Sequence, residues 1–207
     1  MITQFENIKY LSIPTLPSNI VKNIIKIVDL QKSTEEIELL NANESIRASI
    51  EKFKNNKPKD GLGIDYNEVK FLPDNRTISK FSFLDVDTLI TDWVDQFIGK
   101  SLSVNIQVME GGNSVIPHID EIRIRAYNYI IETGGYAETC FYKIKDEFTN
   151  CKIYPQTYLP YGYLNKIEGK IIESHKWHQL NVSNIHSVER LDPIMKRIAL
   201  TVSFKHD

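Results

Sequence analysis

Beyond Gly99 the apolar residues stop recurring every three to four positions and begin to recur every second one. This change of period restricts the chain to helices packed on a strand-built half. SLSVNIQVME alternates cleanly and runs into Gly111-Gly112-Asn113, a strong turn signal. SVIPHID, IRIRAYNYIIE, AETCFYKI, GKIIESHKWHQLNV and RIALTVSF follow as strand segments, with a turn at Gly134-Gly135. Ahead of Gly99, LPSNIVKNIIKIVDL carries Ile and Val at helical spacing, with Ser18 as its N-cap candidate. STEEIELLNANESIRASIEKFKNN reads as a helix broken near Asn41 to Asn43, a solvated face with a buried stripe. DVDTLITDWVDQFIGK is a third helix, opened by acidic residues and closed by Gly99. The pattern predicts an α+β fold, with N-terminal helices against a β-sandwich or jelly roll.

No internal repeat, low-complexity tract or long Gly/Ser linker divides the 207 residues, a length that suits one domain with a substantial core. The formal charge of -2 shows no basic excess, so bulk electrostatics offer no argument for nucleic acid or an anionic membrane. MITQFENIKYLSIPTLPS lacks the basic start and apolar run of a signal peptide, and no stretch approaches the roughly 18 apolar residues that span a bilayer. Cys140 and Cys151 form no metal-type pair and are expected to be reduced, small apolar residues. A cytoplasmic setting is the expectation.

The chemistry concentrates in SVIPHIDEIRI. Residues i and i+2 of a strand face the same way, so His118 and Asp120 can reach one point in space. Two imidazoles and a carboxylate meeting there would leave three adjacent positions open on an octahedral Fe(II). Alone the pair says little, because a His-x-Asp is more often a hydrogen-bonded surface pair. Its weight depends on partners. The second imidazole could come from His175, His178, His186 or His206, and a co-substrate carboxylate would need a cation, for which the planar Arg fork is suited. Arg197 follows His186 and opens RIALTVSF, the clearest strand in the chain. Arg190 follows His178 but runs into LDPIMK, where Asp192-Pro193 reads as a turn that would not hold a side chain rigidly. His206 has no arginine after it. His186 with Arg197 is therefore the chosen register.

GGNSVIPHIDEIRIRAYNYIIE, ETCFY, WHQLNVSNIHSVE and RIALTVSF together resemble the Fe(II)/2-oxoglutarate-dependent oxygenase superfamily, in particular its prolyl- and aspartyl-hydroxylase-like members. The resemblance covers roughly residues 100 to 205 and carries His-x-Asp…His…Arg in order. It implies a double-stranded β-helix (jelly roll) core, which within the single domain expected over residues 1–207 falls on residues 100–207, with residues 1–99 as mainly helical support. It implies that His118, Asp120 and His186 bind iron, that Arg197 grips 2-oxoglutarate, and that ascorbate can act as an accessory reductant. Asn128 falls where related sequences often carry a polar residue near the co-substrate. Many relatives have a hydroxyl residue two positions after the arginine; this chain has Ala199, and Thr201, which shares Arg197's strand face with Ser203, is the substitute. Arg123 and Arg125 are the candidates for a substrate carboxylate. Alternation places Ala126, Asn128 and Ile130 inward, with Tyr127 and Tyr129 outward. The implied reaction is hydroxylation of an amino acid or peptidyl residue with O2.

Two other classes compete: a non-catalytic jelly-roll binding module, and a cupin-like metal enzyme that needs no distal carboxylate clamp. Singly, the residues also have plain readings. His186 in SNIHS would be a satisfied core histidine, Arg197 a salt-bridge residue, and Trp177 core packing. His175 and His178 are expected to be solvated or to stabilise a loop. IYPQTYLPYGYLN is either a substrate-binding loop or a Pro-pinned crossover.

Overall fold

The computed structural model describes residues 6–31, 81–110, 115–120, 124–149, 159 and 161–204. Two helices, α1 (Ser18–Gln31) and α2 (Thr88–Phe97), accompany ten strands within these residues. Strands β1 (Ile8–Tyr10), β2 (Phe81–Asp85), β3 (Ser103–Met109), β5 (Arg125–Thr133), β8 (Trp177–Asn181) and β10 (Arg197–Ser203) form a large sheet in the order β1-β8-β5-β10-β3-β2. Strands β4 (Val115–His118), β6 (Glu138–Ile144), β7 (Leu164–Ile171) and β9 (His186–Glu189) form a small sheet in the order β4-β9-β6-β7. All these neighbours pair antiparallel. From β3 onward the chain passes repeatedly between the two sheets, so most neighbours within a sheet are distant in sequence.

Period-two alternation sorts the large sheet into two faces. One face is apolar and carries the helices: Ile20, Ile24 and Val28 of α1, with Ile90, Trp93 and Val94 of α2, share a core with Ile198, Leu200 and Val202 of β10. Their spacing is the i, i+4 stripe of an amphipathic helix. Trp177 anchors this core, stacked on Trp93 at 6.0 Å and donating its indole N–H to the Pro14 carbonyl at 3.0 Å. The other face looks at the small sheet, where Ala126, Ile130, Leu180 and Ala199 pack with Phe141 of β6. A second inter-sheet cluster joins Met109 and Leu191 to Val188 of β9. Arg197 pairs with Met109, so it lies on this inner face.

The helix ends follow local chemistry. Asp87 caps α2 by accepting from the Ile90 amide at 3.1 Å, while Gly99 closes it at φ +126 with its N–H on the Val94 carbonyl. For α1 the amides of Ile20 and Val21 both donate to the Pro17 carbonyl, so Ser18 is the first helical residue rather than the cap. Another correction concerns GKIIESHKWHQLNV, which is not one strand. A turn through His175, at φ 57, divides it between β7 in the small sheet and β8 in the large one. The inward and outward assignments on β5 hold, except that Tyr129 is buried against the helix-side core rather than facing solvent. The helix expected over STEEIELLNANESIRASIEKFKNN, the Gly111-Gly112-Asn113 turn and Cys151 lie outside the described residues. No helix among the described residues is long and apolar enough to cross a membrane.

Two substitutions test this architecture. Leu200→Ala, at a fully buried position between sheet and helices, should lower unfolding free energy by about 2–5 kcal/mol in urea denaturation. Gly134→Ala should cost about 1–3 kcal/mol, because φ is +72 and a Cβ would collide with Leu191 Cδ1.

Candidate metal centre

His118 ends β4 and pairs directly with His186, the first residue of β9, which sets two imidazoles side by side with centroids 4.3 Å apart. β4 is an edge strand, so Pro117 sits where a missing N–H breaks no inner ladder. Asp120 lies just beyond the strand, held by its backbone N–H donating to the Val182 carbonyl at 3.1 Å. Asp120 Oδ1 is 3.3 Å from His118 Nε2 and 3.9 Å from His186 Nε2. The three ligand atoms all lie within 4.8 Å of one another.

These separations bring one ligand atom from each residue close enough to share a single cation. Adjacent ligands at about 2.1 Å from a metal would sit roughly 3 Å apart, and the two Asp120–histidine separations, 3.3 and 3.9 Å, are wider than that. His186 Nδ1 lies 3.0 Å from the Asn184 carbonyl. A carbonyl can only accept, so Nδ1 carries the proton, and in the neutral ring Nε2 would be the nitrogen whose lone pair can bind a cation. Phe141 packs against His186 with centroids 6.1 Å apart, giving the centre an apolar wall. Side-chain exposures of 19% for His118 and 14% for Asp120, against 8% for His186, put the open side toward solvent.

A set of buried polar groups occupies the inner faces beyond the triad. Among the described residues, the buried side-chain atoms without a hydrogen-bond partner are Thr139 Oγ1, both ring nitrogens of His178, and Arg197 Nη1. All belong to inward positions: Thr139 alternates with Phe141, His178 with Leu180, and Arg197 pairs with Met109. His178, Asn128 and Thr201 stand in register across β8, β5 and β10, all buried. No carboxylate among the described residues pairs with Arg197, and burial alone pushes its guanidinium down to about 10, which leaves it charged at neutral pH. Burial, helped by the nearby Arg197 charge, holds the His178 imidazole down to about 3. A lesser backbone interaction with Lys176 acts in the opposite sense, but neither ring nitrogen has a partner of good geometry.

The structure thus brings His118, Asp120 and His186 together and places Asn128, Arg197 and Thr201 on the interior they border. Arg190, the rival cation, is exposed and pairs with Glu138 at 3.0 Å. Arg125 is exposed and alternates onto the opposite face of β5 from Asn128, while Arg123 lies outside the described residues. His178 was read as solvated or loop-stabilising and is instead fully buried. The signal was present in WHQLNV: once Trp177 is a core residue of a strand, His178 must take the other face. Cys140 is buried, and burial pushes its thiol up to about 11, so it stays protonated.

No protein-family model matches the chain, and no curated protein matches it. Among solved structures, recombinant oxalate oxidase in complex with glycolate aligns at 15% identity over 61% of this chain and 51% of that one, with a TM-score of 0.20. A second structure, from work on the mechanism of oxalate oxidase, aligns at 15% identity over 59% and 53%, with a TM-score of 0.17. This chain therefore spans about half the length of each, and scores this low carry no argument about fold or chemistry. The site must be tested on its own geometry. Asp120→Ala or His186→Ala should weaken Co(II) or Zn(II) binding by more than about 100-fold in a metal titration, with the fold retained. Unaltered affinity in either variant would remove the triad as a metal centre. The depressed His178 value also fixes a pH dependence. An unfolded chain accepts this proton near pH 6.5 and the folded one near 3, so its contribution to stability is complete above 6.5 and declines below it. The slope is at most about 1.4 kcal/mol per pH unit, and His178→Gln should flatten that acid limb in urea unfolding.

Proposed function

We propose that the chain is an Fe(II)- and 2-oxoglutarate-dependent dioxygenase, one domain on a double-stranded β-helix, hydroxylating an amino acid or peptidyl residue. The observation that carries this reading is Arg197: a buried guanidinium with no carboxylate partner among the described residues, facing the interior bordered by His118, Asp120 and His186. A buried unpaired cation is destabilising by several kcal/mol, and a bound dicarboxylate would offset that. The strand alternation between the two sheets supports the jelly-roll part.

In this reading His118, His186 and Asp120 would hold the metal and leave adjacent positions for co-substrate and oxygen. The Asn184 carbonyl keeps the His186 lone pair aimed inward. Phe141 and Ala199 belong to the buried apolar cluster between the sheets. Arg197 would take the distal carboxylate of 2-oxoglutarate through a charge-assisted pair, with Asn128 and Thr201 on the same inner face. When bound, the metal with 2-oxoglutarate and O2 would supply the oxidation, with succinate and CO2 as co-products and one oxygen atom inserted into a substrate C–H bond. Substrate approaches from the solvent side of His118 and Asp120; Arg125, on the other face of β5, has no part in this arrangement.

Anaerobic addition of Fe(II) and 2-oxoglutarate should give the weak visible charge-transfer band of the chelate. Arg197→Ala should weaken 2-oxoglutarate binding by about 30-fold or more while iron is retained. Succinate release, screened against amino acids and peptides, then identifies the substrate. No band in folded, iron-loaded protein would leave a metal enzyme without this co-substrate, and no iron binding would leave a binding module.

A further inference from the structure

The residues that neighbour the metal ligands in sequence turn away from the candidate centre and meet in one place. Ile119, between His118 and Asp120, and Ile185, next to His186, both pack into an apolar cluster with Cys140, Tyr142 and Leu159. Cys140 and Tyr142 alternate with the inward Phe141 on β6, so this cluster lies on the outer face of the small sheet. Leu159 belongs to neither sheet, yet it is 1% exposed, and its amide donates to the Pro117 carbonyl at 2.7 Å. That bond lands on a strand in need of bracing. β4 has four residues and lies at the edge of its sheet; its ladder to β9 registers at Val115 and His118 with an irregularity between them. Pro117 has no N–H to add to that ladder. On the far side of the two ligands the Asp120 amide is tied to the Val182 carbonyl at 3.1 Å.

We propose that Leu159 is a positioning residue of the metal centre. Its amide fixes β4 at Pro117, and its side chain fills the cluster that seats Ile119 and Ile185, so His118, Asp120 and His186 keep facing one point. The proposal rests on the metal-binding part of the reading above and not on 2-oxoglutarate. An aliphatic side chain offers no atom to a metal, so Leu159 acts only through the residues it holds. Groups standing behind metal ligands fix their orientation, and their loss typically costs about 10–100-fold in metal affinity. Dense packing transmits such a loss, because a cavity behind Ile119 or Ile185 lets the adjoining ligand shift.

Metal binding rather than turnover tests this. Full-length protein is titrated with Co(II), and the visible absorption of the bound ion reports its ligand geometry. Leu159→Ala should weaken Co(II) by about tenfold or more and alter its absorption bands. Leu164→Ala removes the same side chain from the same cluster, but from β7, at the opposite edge of the small sheet from β4. It should destabilise the fold, yet leave Co(II) affinity within about twofold and the bands unchanged. Leu159→Met, which conserves volume and keeps the amide, should bind Co(II) within about threefold of the parent. If Leu159→Ala does not fold, Leu159→Val against Leu164→Val is read by the same comparison. A Leu159 loss no larger than the Leu164 loss, or an unchanged spectrum, would overturn the proposal and leave Leu159 as ordinary core packing. If the parent binds no Co(II), the metal centre and this proposal fall together. If it binds Co(II) but the iron-loaded protein gives no band with 2-oxoglutarate, the dioxygenase reading fails and the role of Leu159 is still decided by the Co(II) comparison.

Discussion

The guanidinium of Arg197, 4% exposed and without a carboxylate partner among the described residues, sets the electrostatics of the interior. A charge in that position is tolerated only because the strand carrying it is held from both sides. β10 lies between β3 and β5, buried along its whole length, and its alternate residues Ile198, Leu200 and Val202 are locked into the helix-side core. That apolar packing supplies the favourable free energy against which an unpaired cation can persist. Burial, with the same charge, keeps His178 neutral.

Keeping the two faces of the large sheet distinct separates stability from chemistry. On the helix side the groups are apolar or, like the Trp177 indole, paired. On the inner side Asn128, His178, Arg197 and Thr201 are buried where a stable core would ordinarily place aliphatic residues. The small sheet packs Phe141 and Val188 against this face and brings His118 and His186 of the candidate metal centre to its edge through the β4–β9 ladder. Because His118 and His186 are register partners, a slip of one residue in that ladder would turn one imidazole away from Asp120.

Much of this was legible before any coordinates. His118 and Asp120 two apart on a strand, and Arg197 at the head of an alternating one, are local patterns, and local patterns survive folding. The acidic cap at Asp87 and the glycine stop at Gly99 belong to the same class. The errors came where a long-range partner decided the outcome. GKIIESHKWHQLNV looks continuous because its residues suit strands throughout, but β7 pairs with β6 and β8 with β5, so the chain must turn between sheets at His175. His178, which flanks Trp177 and on sequence suits a solvated or loop-stabilising position, is buried instead because both faces of β8 are covered.

By itself the sequence determined the helical and strand halves, the alternation that gives each strand its two faces, and the chemical types available at the candidate site. These depend on backbone periodicity and side-chain chemistry, which act over a few residues. The tertiary structure alone decided that His186 stands opposite His118, that Arg190 faces solvent while Arg197 does not, and that His178 shares the interior with Arg197. Each of those outcomes depends on which strands pair and which sheet face is covered, and pairing across tens of residues is set by the packing of the whole chain rather than by any one segment.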